Sequence, residues 1–319
     1  MARVSIIIPS FNSASFIKET LLNAARSITA DDEIIVVDDH SSDSSPSIAE
    51  DVIDSLSIRA KIEINPGKGA CSARNHGFHV SSGEWVQWLD ADDLVDPKKT
   101  VQAIGYLKDN PTHLIACPWH PFHDNLEHGQ LPDDVDWDTI PVHSTPADWL
   151  ARDTFMGLHC YAGHRSLFEK AGPWDESLTI NQDGEYFARV IAQSEGVHFT
   201  RETEVYYRRA SSGSVSRFTP EKADSLFRST ESMAATAMKV ESSKRMQQMV
   251  SNRWQHFIYT VYPSRADLIE QAETKLQGLP KPTISNPNAV SPLSRWVSDT
   301  FGWKALTQAR LLIAKLSKA

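Results

Sequence analysis

Three carboxylates, Asp90, Asp92 and Asp93, follow directly on the apolar run WVQWL in the stretch EWVQWLDADDLVDP. Like charges this close at the end of a buried segment repel, and they cost stability unless something neutralises them. A hard divalent cation is one such partner. Mg2+ or Mn2+ takes oxygen ligands, commonly one or two carboxylates completed by substrate phosphates. Asp90 and Asp92 have that spacing, and a second acidic pair, Asp38-Asp39, ends another apolar run, EIIVV. The plainer reading is an acidic turn in which Asp93 or Asp96 caps the helix after Pro97. The second acidic pair favours the cation.

Such groups act together only if the chain brings them to one edge. VSIIIPSF, DEIIVVDD, AKIEINP and EWVQWLDADD read as strands. The segments between them, SASFIKETLLNAARSI, SSPSIAEDVIDSLS and GACSARNHGFHVS, read as helices. This alternation predicts an α/β fold with a mostly parallel sheet flanked by helices. Right-handed crossovers then gather the carboxyl ends of the strands at one rim, where open sheets bind ligands. The strand ends supply Ser10 and Asn12, Asp38 and Asp39, Asn65, and Asp90 to Asp93.

A helix is expected over 100–110. Residues 112–146, rich in Pro, His and Asp, read as irregular loop with room for a hairpin. Helix and strand signals resume through DWLARDTF, GLHCYAG and RSLFEKAG, followed by a helix from about 183 to 194 and strands in VHFTR and EVYYRR. His120, His123, His159 and His164 show no metal-ligand spacing and read as surface or satisfied core groups. From Pro220 to Leu276 the chain is polar and helix-forming. LPKPTISNPNAVSP reads as a linker at about 279–292, and the last segment as an amphipathic helix.

The net charge of −9 gives no support to nucleic-acid binding. Cys71, Cys117 and Cys160 lack CxxC spacing and fit a reducing compartment. No segment approaches the roughly 18 apolar residues of a membrane span, and the N-terminal run is too short for a signal-peptide core. A cytoplasmic protein, soluble or peripheral, is expected.

In this order and spacing, VSIIIPSFN, EIIVVDDHSSD, GACSARNHG and WLDADDLVDP resemble the family 2 glycosyltransferases, inverting enzymes of the GT-A fold. The likeness continues through AGPWDESLTINQDGEYFARVIAQSEGVHFTRETEVYYRR, so it covers about residues 3 to 217. It implies a nucleotide-sugar-binding half over 1–110, an acceptor-binding half with the catalytic base over 111–218, and a helical extension over 219–319. Pro9, Phe11 and Asn12 would line the nucleotide-base pocket. Asp39, with Asp38 beside it, would be the nucleoside carboxylate. Arg74 would sit near the base and Asp90, with Lys68 and Asn75 as further donor contacts. Asp90 would reach the ribose or a metal-bound water, and Asp92 would be the direct ligand of Mn2+ or Mg2+.

The family's Glu-Asp pair at a helix start reads Gln182-Asp183 here, so the resemblance makes Asp183 the base and Gln182, its departure from pattern, an acceptor contact beside it. Losing a neighbouring carboxylate should make Asp183 less basic. Arg208 or Arg209 would hold the diphosphate, or else face solvent on a basic loop. Ala210 and Ser211 stand where relatives often carry a histidine, and Ser214 and Ser216 would lie on a loop able to close over the donor. Trp174 would shape the acceptor pocket or pack in the core.

The resemblance implies transfer from a nucleotide-diphosphate sugar, UDP favoured, to a hydroxyl of a glycan or lipid-linked glycan. Alternatives are a polyprenyl phosphate or small-molecule acceptor, or a binding or scaffolding protein that has lost catalysis. In the last helix Leu306, Ala309, Ile313 and Leu316 share a face opposite Lys304, Lys315 and Lys318. With Trp296 and Trp303 nearby, this helix is expected either on an anionic membrane or packed on the protein, including in a homodimer.

Overall fold

The four apolar runs that end in polar residues become strands of one sheet. The structure is a computed structural model describing residues 3–123, 135–209, 218–287 and 289–316. β1 (Val4–Ser10), β2 (Glu33–Asp38), β3 (Arg59–Ile64) and β4 (Trp85–Trp88) alternate with α1 (Ile17–Arg26), α2 (Ser45–Ser55) and α3 (Ala70–Val80). β1 pairs in parallel with β2 on one side and β4 on the other, and β3 lies beyond β2. The strand order therefore reverses between β1 and β4, which opens a crevice at their carboxyl ends. Nearly every residue of β1 and β2 is buried, as strands covered on both faces require. Gly77 lets α3 lie directly on them: a Cβ there would come 2.5 Å from the Ile7 side chain.

After β4 come β5 (Leu94–Val95), α4 (Lys99–Leu107), β6 (His113–Ala116), β7 (Trp119–Phe122) and β8 (His143–Ser144). Next are α5 (Pro146–Arg152), β9 (Tyr161–His164), α6 (Arg165–Ala171) and α7 (Gln182–Gln193). β10 (Gly196–Phe199), β11 (Val205–Arg208) and α8 (Ala223–Val240) follow. The large sheet has the order β3-β2-β1-β4-β9-β6-β10-β8, and a small one has β5-β11-β7. Among its described residues the 112–146 stretch carries three strands, none paired with another as a hairpin. β6 and β7 enter different sheets, and strands of two to four residues are too short to show an alternation.

The chain forms two compact units, Met1–Met246 and Gln247–Ala319. α8 belongs to the first, where its Ser229 accepts a hydrogen bond from Asn181 at the start of α7 (3.1 Å). The second holds most of α9 (Lys244–Val261), then α10 (Ala266–Lys275), α11 (Pro292–Phe301) and α12 (Trp303–Leu316). The Pro-rich linker is tied along α9: Ser251 donates to the Pro280 carbonyl (2.6 Å) and Gln248 to that of Lys281 (2.9 Å). Among the described residues no helix is long and apolar enough to cross a membrane.

Candidate active site

The rim begins where β1 and β2 end side by side, Ser10 opposite Asp38. Pro9 is half-buried in β1, Phe11 is exposed just past it, and Asn12 takes a left-handed conformation (φ 48°) that asparagine tolerates. Asn12 spends its side chain on structure, accepting from the Ser42 amide (2.8 Å). Asp39 accepts from the Gly69 amide at 2.8 Å and from Asn65 at 2.6 Å. Gly69, at φ 92°, suits a residue without a side chain and turns its N–H toward that carboxylate. Asp38 accepts from the Ser41 amide through one oxygen. Its other oxygen is buried and unpartnered among the described residues. Lys68 is exposed on the turn into α3.

Arg74 connects this rim to α7. Its guanidinium is buried and donates to Asp90 at 2.9 Å through Nη2 and to the Gln182 side-chain oxygen at 3.1 Å through Nη1. Nη1 also lies 3.9 Å from Asp183 Oδ1. One cation thus gathers residues from β4, α3 and α7, separated by up to 108 positions in sequence. Asp90 and Asp183 keep 32% and 28% of their side chains exposed, so both can be reached from solvent. The second Asp183 oxygen accepts from the Leu158 amide at 3.3 Å.

Two sequence expectations change here. Trp174 is 2% exposed: Tyr186 stacks on it at 3.9 Å, and the Arg74 guanidinium sits 4.6 Å from its ring centre. Its faces are taken, so it supports Arg74 from beneath and presents no surface to a sugar. Gln182 is not a free acceptor contact either. Its Nε2 donates to the Leu178 carbonyl at 2.7 Å while its oxygen receives Arg74. Asn75 likewise clamps the Trp174 backbone through both ends of its amide.

The turn after β4 is held from behind. Arg208, at the end of β11, is buried; its backbone N–H donates to Asp93 (2.8 Å) and its Nε to the Asp92 carbonyl (2.8 Å). Nη1 donates to the His123 carbonyl (2.9 Å) and Nη2 to Glu19 (2.6 Å). With every side-chain nitrogen engaged, Arg208 is a bracket for the acidic turn rather than a diphosphate ligand. Arg209 points to solvent at the edge of 210–217, so Ala210, Ser211, Ser214 and Ser216 lie outside the described residues.

Asp93 is fully buried, with Oδ2 3.1 Å from His159 Nδ1, close but poorly aligned for a hydrogen bond. Burial pushes the His159 imidazole down to about 4 and raises the Asp93 carboxyl well above its usual range, disfavouring the charged form of each. His159 follows Leu158, and one short turn therefore contacts both the acidic turn and Asp183. Sequence reasoning missed this link, because an isolated histidine carries no spacing signal.

Asp92 fits the role of cation ligand. Burial first, and then the charge of Asp90, push its carboxyl up to about 6. A divalent ion would relieve that crowding. Among the described residues no cluster of three or more His, Cys, Asp or Glu encloses an ion. A donor set of Asp92 with Asp90 would be one or two carboxylates, which suits Mg2+ or Mn2+ completed by phosphate oxygens.

The family model described as glycosyl transferase family 2 matches residues 5–172, more than half of the chain. An uncharacterized glycosyltransferase of Rickettsia typhi is 29% identical over 214 residues, 64% of this chain and 63% of that protein. The chain thus spans less than two thirds of that relative's length. S. aureus TarS 1–349 in complex with UDP-GlcNAc superposes with a TM-score of 0.68 at 16% identity, covering 87% of this chain and 82% of that one. The mannosyltransferase PcManGT of Pyrobaculum calidifontis, in complex with GDP-Man and Mn2+, gives 0.59 at 17% identity, over 98% of this chain and 86% of that one. At these identities the two structures establish the GT-A fold. By its matched sequence and its fold, the chain belongs to glycosyl transferase family 2.

Proposed function

We propose that the chain is an inverting glycosyltransferase moving a sugar from a nucleotide diphosphate, UDP first among the candidates, to a hydroxyl of a glycan or lipid-linked glycan. The observation that carries this reading is Arg74, one buried cation that holds the rim carboxylate Asp90 beside Asp183. Donor binding and proton removal are then built side by side. The exposed Phe11 ring and the Asp39 carboxylate offer an apolar face and an acceptor for a base, with Lys68 and Arg209 available to phosphates. Three buried, free cysteines support a cytoplasmic setting.

Asp183 accepts the proton of the attacking hydroxyl as that oxygen bonds to the anomeric carbon. The bond to the diphosphate breaks on the opposite face, and its electron pair leaves with the nucleotide. Asp92, with Asp90 beside it, would hold a divalent ion, which would offset negative charge on the leaving diphosphate. The Leu158 amide and Arg74 aim the Asp183 carboxylate. Gln182 has a structural role, holding Arg74 and the Leu178 carbonyl together. A glutamate there would set an acceptor against the Leu178 carbonyl, whereas the amide donates to it and still receives Arg74.

Burial pushes the Asp183 carboxyl up to about 6, and Arg74 opposes that rise. A base works ionised, so kcat/KM should fall as pH drops through about 6 and level off above it. Arg74→Gln removes the opposing cation and should move this acid limb upward. A limb near the ordinary aspartate value of about 4 in both proteins would refute the assignment.

Thermal unfolding with UDP, GDP, dTDP and CDP, each with and without Mn2+, tests the donor reading. A nucleotide at about 100 times its Kd adds about 2.7 kcal/mol of stability. One nucleotide should act with the metal present, and Asp92→Asn should remove the metal-dependent part. Stabilisation by none of them at millimolar concentration would favour a non-catalytic protein.

A further inference from the structure

We propose that α11 and α12 form a docking surface for anionic lipid. In α11, Leu293, Trp296, Val297 and Phe301 recur at the three- and four-residue spacing of one helical face. Leu293, Trp296 and Phe301 are 71%, 57% and 64% exposed, and the Trp296 and Phe301 rings lie edge to face at 5.8 Å. α12 divides the face expected from its sequence. Trp303 packs against Tyr259 and Tyr262, with ring centres 4.9 and 5.0 Å apart, and Leu306 is buried. Leu312 and Ile313 are turned outward instead, at 62% and 65% exposure. The two helices pack on each other around Gly302. They therefore leave apolar side chains of both in solvent, which marks an interaction surface.

Charge selects the occupant. From Pro292 onward the sequence has five basic residues and one acidic, in a chain of net charge −9. A second copy would bring the same positive charge to the contact, whereas anionic headgroups bring the opposite sign. Lys304 is paired with Glu273 at 3.1 Å, while Arg295 is exposed next to Trp296. Exposed tryptophan, phenylalanine and leucine with such a cation suit a helix lying in the headgroup layer. This surface uses none of the residues assigned to transfer, so it stands or falls apart from the transferase reading.

The test is flotation of the full chain with phosphatidylcholine vesicles, with and without phosphatidylglycerol. The wild type should float with the anionic vesicles and at least about tenfold less with neutral ones or in high salt, where lipid charge is absent or screened. Trp296→Glu/Phe301→Glu changes only exposed side chains. It should stay unfloated with an unchanged unfolding midpoint and unchanged metal-dependent nucleotide binding. Wild type that ignores anionic vesicles, or a double variant that floats equally, would overturn the proposal. So would a dimer that the double variant splits without any flotation, which would make the face a contact between copies.

Discussion

Asp183→Asn should slow transfer by about 10²–10⁴-fold, the usual contribution of a positioned general base. The substitution keeps the side chain's size and an oxygen to receive the Leu158 amide, which Asp183 now accepts at 3.3 Å. Asp90 and Asp92 are untouched, so nucleotide and metal should bind as in the wild type. Single-turnover transfer beside nucleotide titration separates the two effects. If turnover in the variant matches the wild type, the base lies elsewhere. If both binding and turnover collapse, Asp183 serves Arg74 rather than the acceptor, since Arg74 Nη1 lies 3.9 Å from its carboxylate.

The second large effect is on stability. Arg208→Met should cost about 2–4 kcal/mol, the penalty for two carbonyls that lose a charged hydrogen-bond donor. At about 2–4 °C per kcal/mol for a domain of this size, the unfolding midpoint should fall by roughly 10 °C. The exposed Glu19 partner contributes little of this, because surface ion pairs are worth about 0–1 kcal/mol. The cost lies in the Asp92 and His123 carbonyls, which would lose their donors next to the buried Asp93. Arg209→Met, one position on, should leave the midpoint within about a degree. Equal midpoints for the two variants would mean that Arg208 is not the bracket described.

The contrast between these two arginines shows what sequence can and cannot decide. Successive strand residues face opposite sides. Only the pairing of β11 with β5 and β7, which sets Arg208 against Asp93, tells which arginine turns inward. The rim itself could be read directly. Buried strands that end in Asp38, Asp39 and Asp90 to Asp93 gather more like charge at one edge than packing alone tolerates. Arg74 could be placed near Asp90 from the resemblance, but its hold on Gln182 spans 108 positions and depends on how α7 packs. Trp174 carried two readings because its composition suits both. Tyr186 and Arg74, which close over its faces, decide it. His159 gave no signal at all, since its importance comes from burial against Asp93. The expected C-terminal apolar face failed for a related reason. Helical periodicity finds a stripe but not the neighbour that covers it, and here Leu306 turns inward while Leu312 and Ile313 turn out.

The anomeric configuration of the sugar released or transferred from an α-linked nucleotide sugar, followed by proton NMR in wild type and Asp183→Asn, would test the proposed chemistry at its reacting atom. Attack from the face opposite the diphosphate, with Asp183 taking the proton, predicts a β product from the wild type and almost none from the variant. An α product, or β product formed equally fast without the Asp183 carboxylate, would contradict it.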